Sequence, residues 1–138
     1  MALPSVGGGR QLGDGNLSEA VIGSIPAPIS LSTGDFTLTA TQLTSGIILG
    51  SPGSSAAGGY TLPTCAALDN LLTNAKIGSS FDLSVVNVDG SSSGIITLIT
   101  NTGWTLVGLM TVVATAGTAQ LFRARRTGDA TWTLYRVG

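Results

Sequence analysis

The chain has 138 residues, a formal net charge of −1, one cysteine and no histidine. This length suits one domain with a real core. The cysteine count excludes a disulfide-framed module, and the lack of histidine removes Ser-His-Asp, Cys-His and His-ligated metal chemistry. Only 9% of the residues are charged, against about 25% in an ordinary soluble domain, so little repulsion keeps copies apart and the surface reads as one meant to be covered.

Residues 1–32 read as an extended N-terminal arm. "SVGGGRQLGDGN" is too rich in Gly to hold a helix or strand by itself, "SEAVIG" is too short for a stable helix, and Pro26 and Pro28 in "IPAPIS" favour an extended path. The arm nevertheless carries Leu12, Leu17, Val21, Ile22, Ile25 and Ile29, more aliphatics than a solvated tail needs. These residues, with Pro26 and Pro28, are the candidate docking segment against another chain. The start has neither the basic nor the apolar region of a signal peptide. "GGGRQLGDG" lacks the Lys-Ser/Thr ending of a phosphate loop, and "NLS" at Asn16 is only a formal glycosylation sequon.

From residue 33 to 138 the pattern is β. "DFTLTATQL" alternates, with Phe36, Leu38 and Ala40 on one side. "SGIILGS", "GYTLP", "SFDLSVVNVDG", "SGIITLIT", "WTLVG", "LMTVVATA", "AQLFRAR" and "ATWTLYRV" follow, separated by Gly, Ser, Pro and Asn, with a turn at Asp89-Gly90. Strands at this spacing predict a sandwich or barrel. One segment breaks the pattern. "PTCAALDNLLTNAKIG" predicts a helix of about three turns, with Thr64 as N-cap, Lys76 in the last turn and Gly78 as the stop. Cys65 on it is expected to be a small buried hydrophobe. Residues 95–116 are uncharged and long enough to span a membrane, but 12 of the 22 are Ile, Val or Thr. With "NTG" at Asn101 they predict strands and a turn.

Without histidine, a pair of carboxylates could still cut a glycosidic bond. However, Asp35, Asp89 and Asp129 each stand beside a Gly, as turns require. Asp69 suits the polar face of the helix, and Asp82 is the unusual one, between Phe81 and Leu83 on a strand. No catalytic constellation, cofactor site or metal site is expected.

Arg123 to Gly138, "RARRTGDATWTLYRVG", holds four of the six basic residues. Its two alternating runs around "RTGD" predict a β-hairpin. Phe122 and Ala124 should face inward with Trp132 and Leu134, and Arg123 and Arg125 outward beside Thr133 and Tyr135. Arg123, Arg125 and Arg126 are therefore expected at the surface or a subunit interface. With no second basic cluster, phosphate-driven binding of nucleic acid is not expected.

"LTATQLTSGIILGSP", "YTLPTCAALDNLL", "SFDLSVVNVDG", "GWTLVG" and "TGDATWTLYRVG", in this order, resemble the small β-sandwich virion proteins of tailed bacteriophages, of the capsid-decoration (cement) or head-fibre type. The resemblance covers about residues 34–138 and rests on pattern and order. It implies a mainly β, jelly-roll-like sandwich with one short helix. It also implies a homotrimer on the outer capsid surface, with the major capsid protein as partner and no nucleic acid or membrane. No arm residue matches a family motif. The alternative is a receptor- or glycan-binding tip of a virion fibre or spike. That role favours exposed aromatics, whereas Trp104 and Trp132 sit in strand-like runs and are expected in the core.

Overall fold

The computed structural model describes residues 27–31, 34–52, 58–88, 94–115 and 117–138. The elements are β1 (Ile29–Leu31), β2 (Phe36–Thr37), α1 (Ala40–Leu43), β3 (Ile47–Gly50), β4 (Gly58–Thr61), α2 (Cys65–Leu71), β5 (Ser80–Asn87), β6 (Ile96–Ile99), β7 (Trp104–Val107), β8 (Thr111–Val112), β9 (Thr118–Gly128) and β10 (Thr131–Arg136). They form two sheets, of order β1-β3-β5-β9-β10-β7 and β2-β4-β6-β8. The mainly β sandwich expected from the alternation is the observed fold, with α2 as its short helix. Among the described residues no helix is long and apolar enough to cross a membrane, and the apolar stretch from residue 95 supplies β6, β7 and β8.

The connectivity inside these layers is a coil. From β1 to β9 each strand passes to the other sheet, so β1, β3 and β5 stack in parallel in one layer while β2, β4 and β6 stack in parallel in the other. Parallel neighbours need a crossover connection, commonly a helix; here it is a strand of the opposite sheet. β8 and β9 then pair antiparallel with β6 and β5, the β9–β10 hairpin follows, and β7 adds in parallel to β10. Each strand therefore needs one inward face. In β5 Leu83, Val85 and Asn87 are buried, and in β6 Ile96 and Leu98 are buried.

The core holds Leu43, Ile48, Tyr60, Leu68, Leu83, Phe122, Trp132 and Leu134 among others. Trp132 packs tilted against Phe81 and Trp104, with ring centroids 5.7 and 6.4 Å apart. Trp104 Nε1 donates to Pro63 O at 2.7 Å, so its polar edge is satisfied while its ring is buried. Buried Asn87 donates through Nδ2 to Gly94 O at 2.6 Å and Val113 O at 3.0 Å, tying β5 to the ends of β6 and β8. At Gly50 the sheets come so close that a Cβ would run into Ile96 Cδ1 and the Tyr60 ring, so no larger residue fits there.

Tyr60 is fully buried and its hydroxyl has no hydrogen-bond partner among the described residues. An unsatisfied buried polar group costs about 1–3 kcal/mol. Tyr60→Phe is therefore expected to leave stability unchanged or to raise it by up to about 1 kcal/mol. Urea denaturation measures this, and a loss above about 1 kcal/mol would mean that the hydroxyl is bonded in solution.

Four expectations change. Residue 33 is not the boundary of the sandwich, because Ile29–Leu31 is already an edge strand, with Ile29 opposite Ile48 and Leu31 buried. Ile29 packs against the core and is removed from the docking segment. Pro28 is exposed just before β1; Leu12, Leu17, Val21, Ile22, Ile25 and Pro26 lie outside the described residues. Phe36, Leu38 and Ala40 share the buried side as read, but the strand itself ends after Thr37, where Thr39 caps α1 in a capping box with Gln42: Gln42 N donates to Thr39 Oγ1 at 3.2 Å and Thr39 N to Gln42 Oε1 at 2.9 Å.

The fourth concerns the length of α2. Thr64 is the N-cap as expected, but the helix ends at Leu71 and Lys76 is outside it. Ala75 N donates to Leu72 O at 3.0 Å and Arg126 Nη1 donates to Ala75 O at 3.2 Å, which turns the chain away from the helix axis.

Candidate interaction surface

The hairpin forms with the expected inward faces, Phe122, Ala124, Trp132 and Leu134 being buried, and with Arg123 opposite Tyr135 and Arg125 opposite Thr133; but β9 runs on through Gly128, so the turn lies at residues 129–130 rather than across "RTGD", and Thr133, expected outward, is buried. Arg123 also faces Asp82 across β5, and the two form an exposed bidentate pair, Nε–Oδ1 2.7 Å and Nη2–Oδ2 3.0 Å. Arg123 holds the Asp82 carboxyl below the usual carboxylate range. Asp82, the odd carboxylate of the sequence, is thus the partner of an arginine. Arg136 donates through Nη1 to Leu109 O at 3.2 Å. Among the described residues Arg125 makes no ion pair.

Arg126 is not a surface or interface arginine. Its position has the same parity as Phe122 and Ala124, so it points toward the interior, opposite Trp132. There it forms a bidentate pair with Asp69 of α2, Nε–Oδ1 3.2 Å and Nη2–Oδ2 2.9 Å, with about 15% and 19% of the two side chains exposed. Nη2 also reaches Asp129 at 3.1 Å. Asp69 in turn accepts from Trp132 Nε1 and from Ala130 N, each at 2.8 Å. The Ala130 bond fixes a turn residue in the left-handed region, φ 47°. The four donors hold the Asp69 carboxyl down to about 2, with Arg126 the largest cause and burial opposing it. This clasp locks α2 to the mouth of the hairpin.

Among the described residues each carboxylate meets a donor of the protein. Asp35 accepts from Gly59 N at 3.0 Å, Asp69, Asp82 and Asp129 face arginines, and Asp89 lies outside the described residues. Cys65 is fully buried, and burial pushes its thiol up to about 11, so it is protonated and unreactive at neutral pH.

One face of the smaller sheet turns apolar side chains to solvent. β6 buries Ile96 and Leu98, so Ile95, Thr97 and Ile99 point outward. The register Ile96–Val112 and Thr97–Thr111, with Leu98 N donating to Met110 O at 2.9 Å, sets Ile95 beside Val113 and Ile99 beside Leu109. Exposures are 39% for Ile95, 42% for Ile99, 64% for Leu109 and 52% for Val113. Ile99 leans across β4, where a Cβ on Gly59 would meet its Cδ1 at 2.7 Å. Residues 94–115 contain no charged side chain. The result is two apolar rungs on the outer face of the smaller sheet, Ile95–Val113 and Ile99–Leu109, with Thr97–Thr111 between them and the Asp35 carboxylate beside Ile99 across Gly59; together they make a mostly apolar ladder.

This ladder was missed in the sequence reading, although "IITLI" signals it. A half-buried strand is apolar at alternate positions, whereas this one is apolar on both faces, as expected of a sheet covered on both sides.

No protein-family model, no curated protein and no solved structure matches the chain. Functional inference therefore rests on these surfaces and on the sequence pattern.

Proposed function

We propose that the chain is a virion structural protein, a capsid-decoration (cement) subunit that sits as a homotrimer on the outer capsid surface and stabilises the head by binding the major capsid protein. The observation that carries this reading is the mostly apolar ladder of Ile95, Ile99, Leu109 and Val113 on a protein with very few charges. Large apolar side chains grouped in the open on one sheet face mark an interaction site, here with the Thr97–Thr111 rung between them, and each such side chain gains about 1.5–3 kcal/mol when fully covered. The order of motifs over residues 34–138 supports the same reading, as do the aliphatics that precede β1. On this reading the chain catalyses nothing and uses no cofactor. It also binds no nucleic acid: Arg123 and Arg126 are already paired with carboxylates, and phosphate-driven affinity needs several free cations.

The direct experiment adds purified protein to capsids that lack it. Saturable co-sedimentation with a raised capsid melting temperature is expected, and no co-sedimentation would remove the assignment. A second experiment reads the ladder. Leu109→Glu combined with Val113→Glu places charges where a copy should pack, and a buried unpaired charge is strongly unfavourable. Light scattering is expected to show a trimer for the parent and a monomer for the variant, with the β circular dichroism unchanged. A monomeric parent, or a variant that stays trimeric, would show that the ladder is not the subunit contact.

A further inference from the structure

A pocket of about 350 Å³ opens where both helices end. It is lined by Thr44, Leu72, Asn74, Ala75, Ser79, Ser80, Phe81 and Trp132. It exists because α2 stops at Leu71, where the Arg126–Ala75 bond draws the chain aside and leaves a hollow over the start of β5. The size is at the small end of ligand sites, about 300–1,000 Å³.

The chemistry of the lining is selective. No Asp, Glu, Lys or Arg contributes to it, so it offers nothing to a charged ligand. The half-buried Phe81 ring, braced by Trp132 at 5.7 Å, makes an apolar floor with Leu72 and Ala75. Thr44, Asn74 and Ser79 supply two hydroxyls and an amide, while Ser80, next to Phe81 on β5, lines the pocket with its backbone and turns its side chain to the opposite face. Thr44 Oγ1 spends its proton on Ala40 O and keeps its lone pairs, whereas Ser79 Oγ accepts from Lys76 N at 2.9 Å and keeps its proton. Among the described residues the Asn74 side chain makes no hydrogen bond. An aromatic floor with donors and acceptors beside it matches a ligand that has one apolar face and a rim of hydroxyls.

We propose that this pocket binds a neutral pyranose, as a free sugar or as the terminal residue of a glycan. The inference stands apart from capsid docking. Single-site binding of so small a ligand is weak, in the millimolar range, about −4 kcal/mol, and several copies on one particle would strengthen it by multivalency.

The test is an NMR titration of the full chain with the methyl glycosides of glucose, galactose, mannose, N-acetylglucosamine and N-acetylgalactosamine, and with glycerol as control. At least one glycoside is expected to give saturable shifts at Asn74, Ser79, Ser80, Phe81 and the Trp132 indole N–H. Asn74→Ala and Thr44→Ala, which lie outside the buried core, are each expected to weaken it about fivefold. Phe81→Leu keeps an apolar floor but removes the ring, and is expected to abolish it. An oligosaccharide ending in the same sugar that binds about tenfold tighter assigns the site to glycans, and equal affinity assigns it to the single sugar. No saturable shift with any glycoside, shifts away from these residues, an equal response to glycerol, or full affinity in both alanine variants would overturn the proposal.

Discussion

Asp69→Ala is expected to be the most destabilising single substitution outside the apolar core. It removes one carboxylate, leaves the Trp132 indole N–H and the Ala130 amide without that acceptor, and leaves the Arg126 guanidinium with only Asp129 and Ala75 O. Each donor left without a partner in a largely dry site costs about 1–3 kcal/mol. Some relaxation and water entry reduce the sum, so a net loss of about 3 kcal/mol is expected, a fall in Tm of about 10 °C for a chain of this size. Asp69→Asn keeps an acceptor for Trp132 and is expected to lose about half as much.

The same contact fixes a pH dependence. Folding holds the Asp69 carboxyl at about 2, against about 3.9 in an unfolded chain. Between these values the unfolded chain binds more protons, so stability falls as the pH falls. The contribution is complete above the unfolded value and is lost as pH drops toward about 2. Asp82, whose carboxyl Arg123 also holds low, adds to the same acid limb. Melting curves from pH 7 to pH 2 should therefore show a steep loss in the parent and a shallower one in Asp69→Asn. Equal slopes in the two proteins would show that the clasp is not formed in solution.

Deletion of residues 2–26 is expected to abolish capsid attachment while leaving the sandwich folded. β1 begins at Ile29, so this truncation removes no strand pairing and no residue of the described core. It does remove Leu12, Leu17, Val21, Ile22 and Ile25. In the proposed attachment each contributes ~1 kcal/mol after ordering costs, from a gross gain of about 1.5–3 kcal/mol. Losing five of them weakens a single arm by about three orders of magnitude, and three arms compound the effect. Co-sedimentation with capsids measures it, with circular dichroism as the control for folding. Parental affinity in the truncated protein would place the docking surface on the sandwich itself. Extending the deletion through Leu31 is expected to behave differently. It strips the edge of the larger sheet and takes Leu31 out of the core, at a cost of about 2–5 kcal/mol in stability.

The sequence by itself determined the features that depend on neighbours along the chain. Period-two alternation placed β5, β9 and β10 and chose their buried faces, because successive side chains on a strand must point to opposite sides. The outward faces of Arg123 and Arg125 followed from the same rule, but the hairpin register did not: β9 runs on through Gly128, past the turn that "RTGD" suggested. Thr64 was legible as a cap, since an N-cap needs only its own helix. The capping box of α1 was equally local, but "TATQ" sits inside an alternating run of Thr, and the strand pattern masked it. What only the tertiary structure decided depends on partners distant in sequence. The parity of Arg126 already pointed it inward, but a buried arginine becomes acceptable only with a carboxylate, and Asp69 lies 57 residues away. From the same place Arg126 also holds Ala75 O beyond the end of α2, beside the pocket, and Asp69 holds the Ala130 amide of the hairpin turn. Ile29 and Leu31 likewise have no pattern of their own over three residues; they are a strand because β3 offers them an edge. The parallel coil has the same origin, since alternation says which face of a strand is buried but not which strand lies beside it.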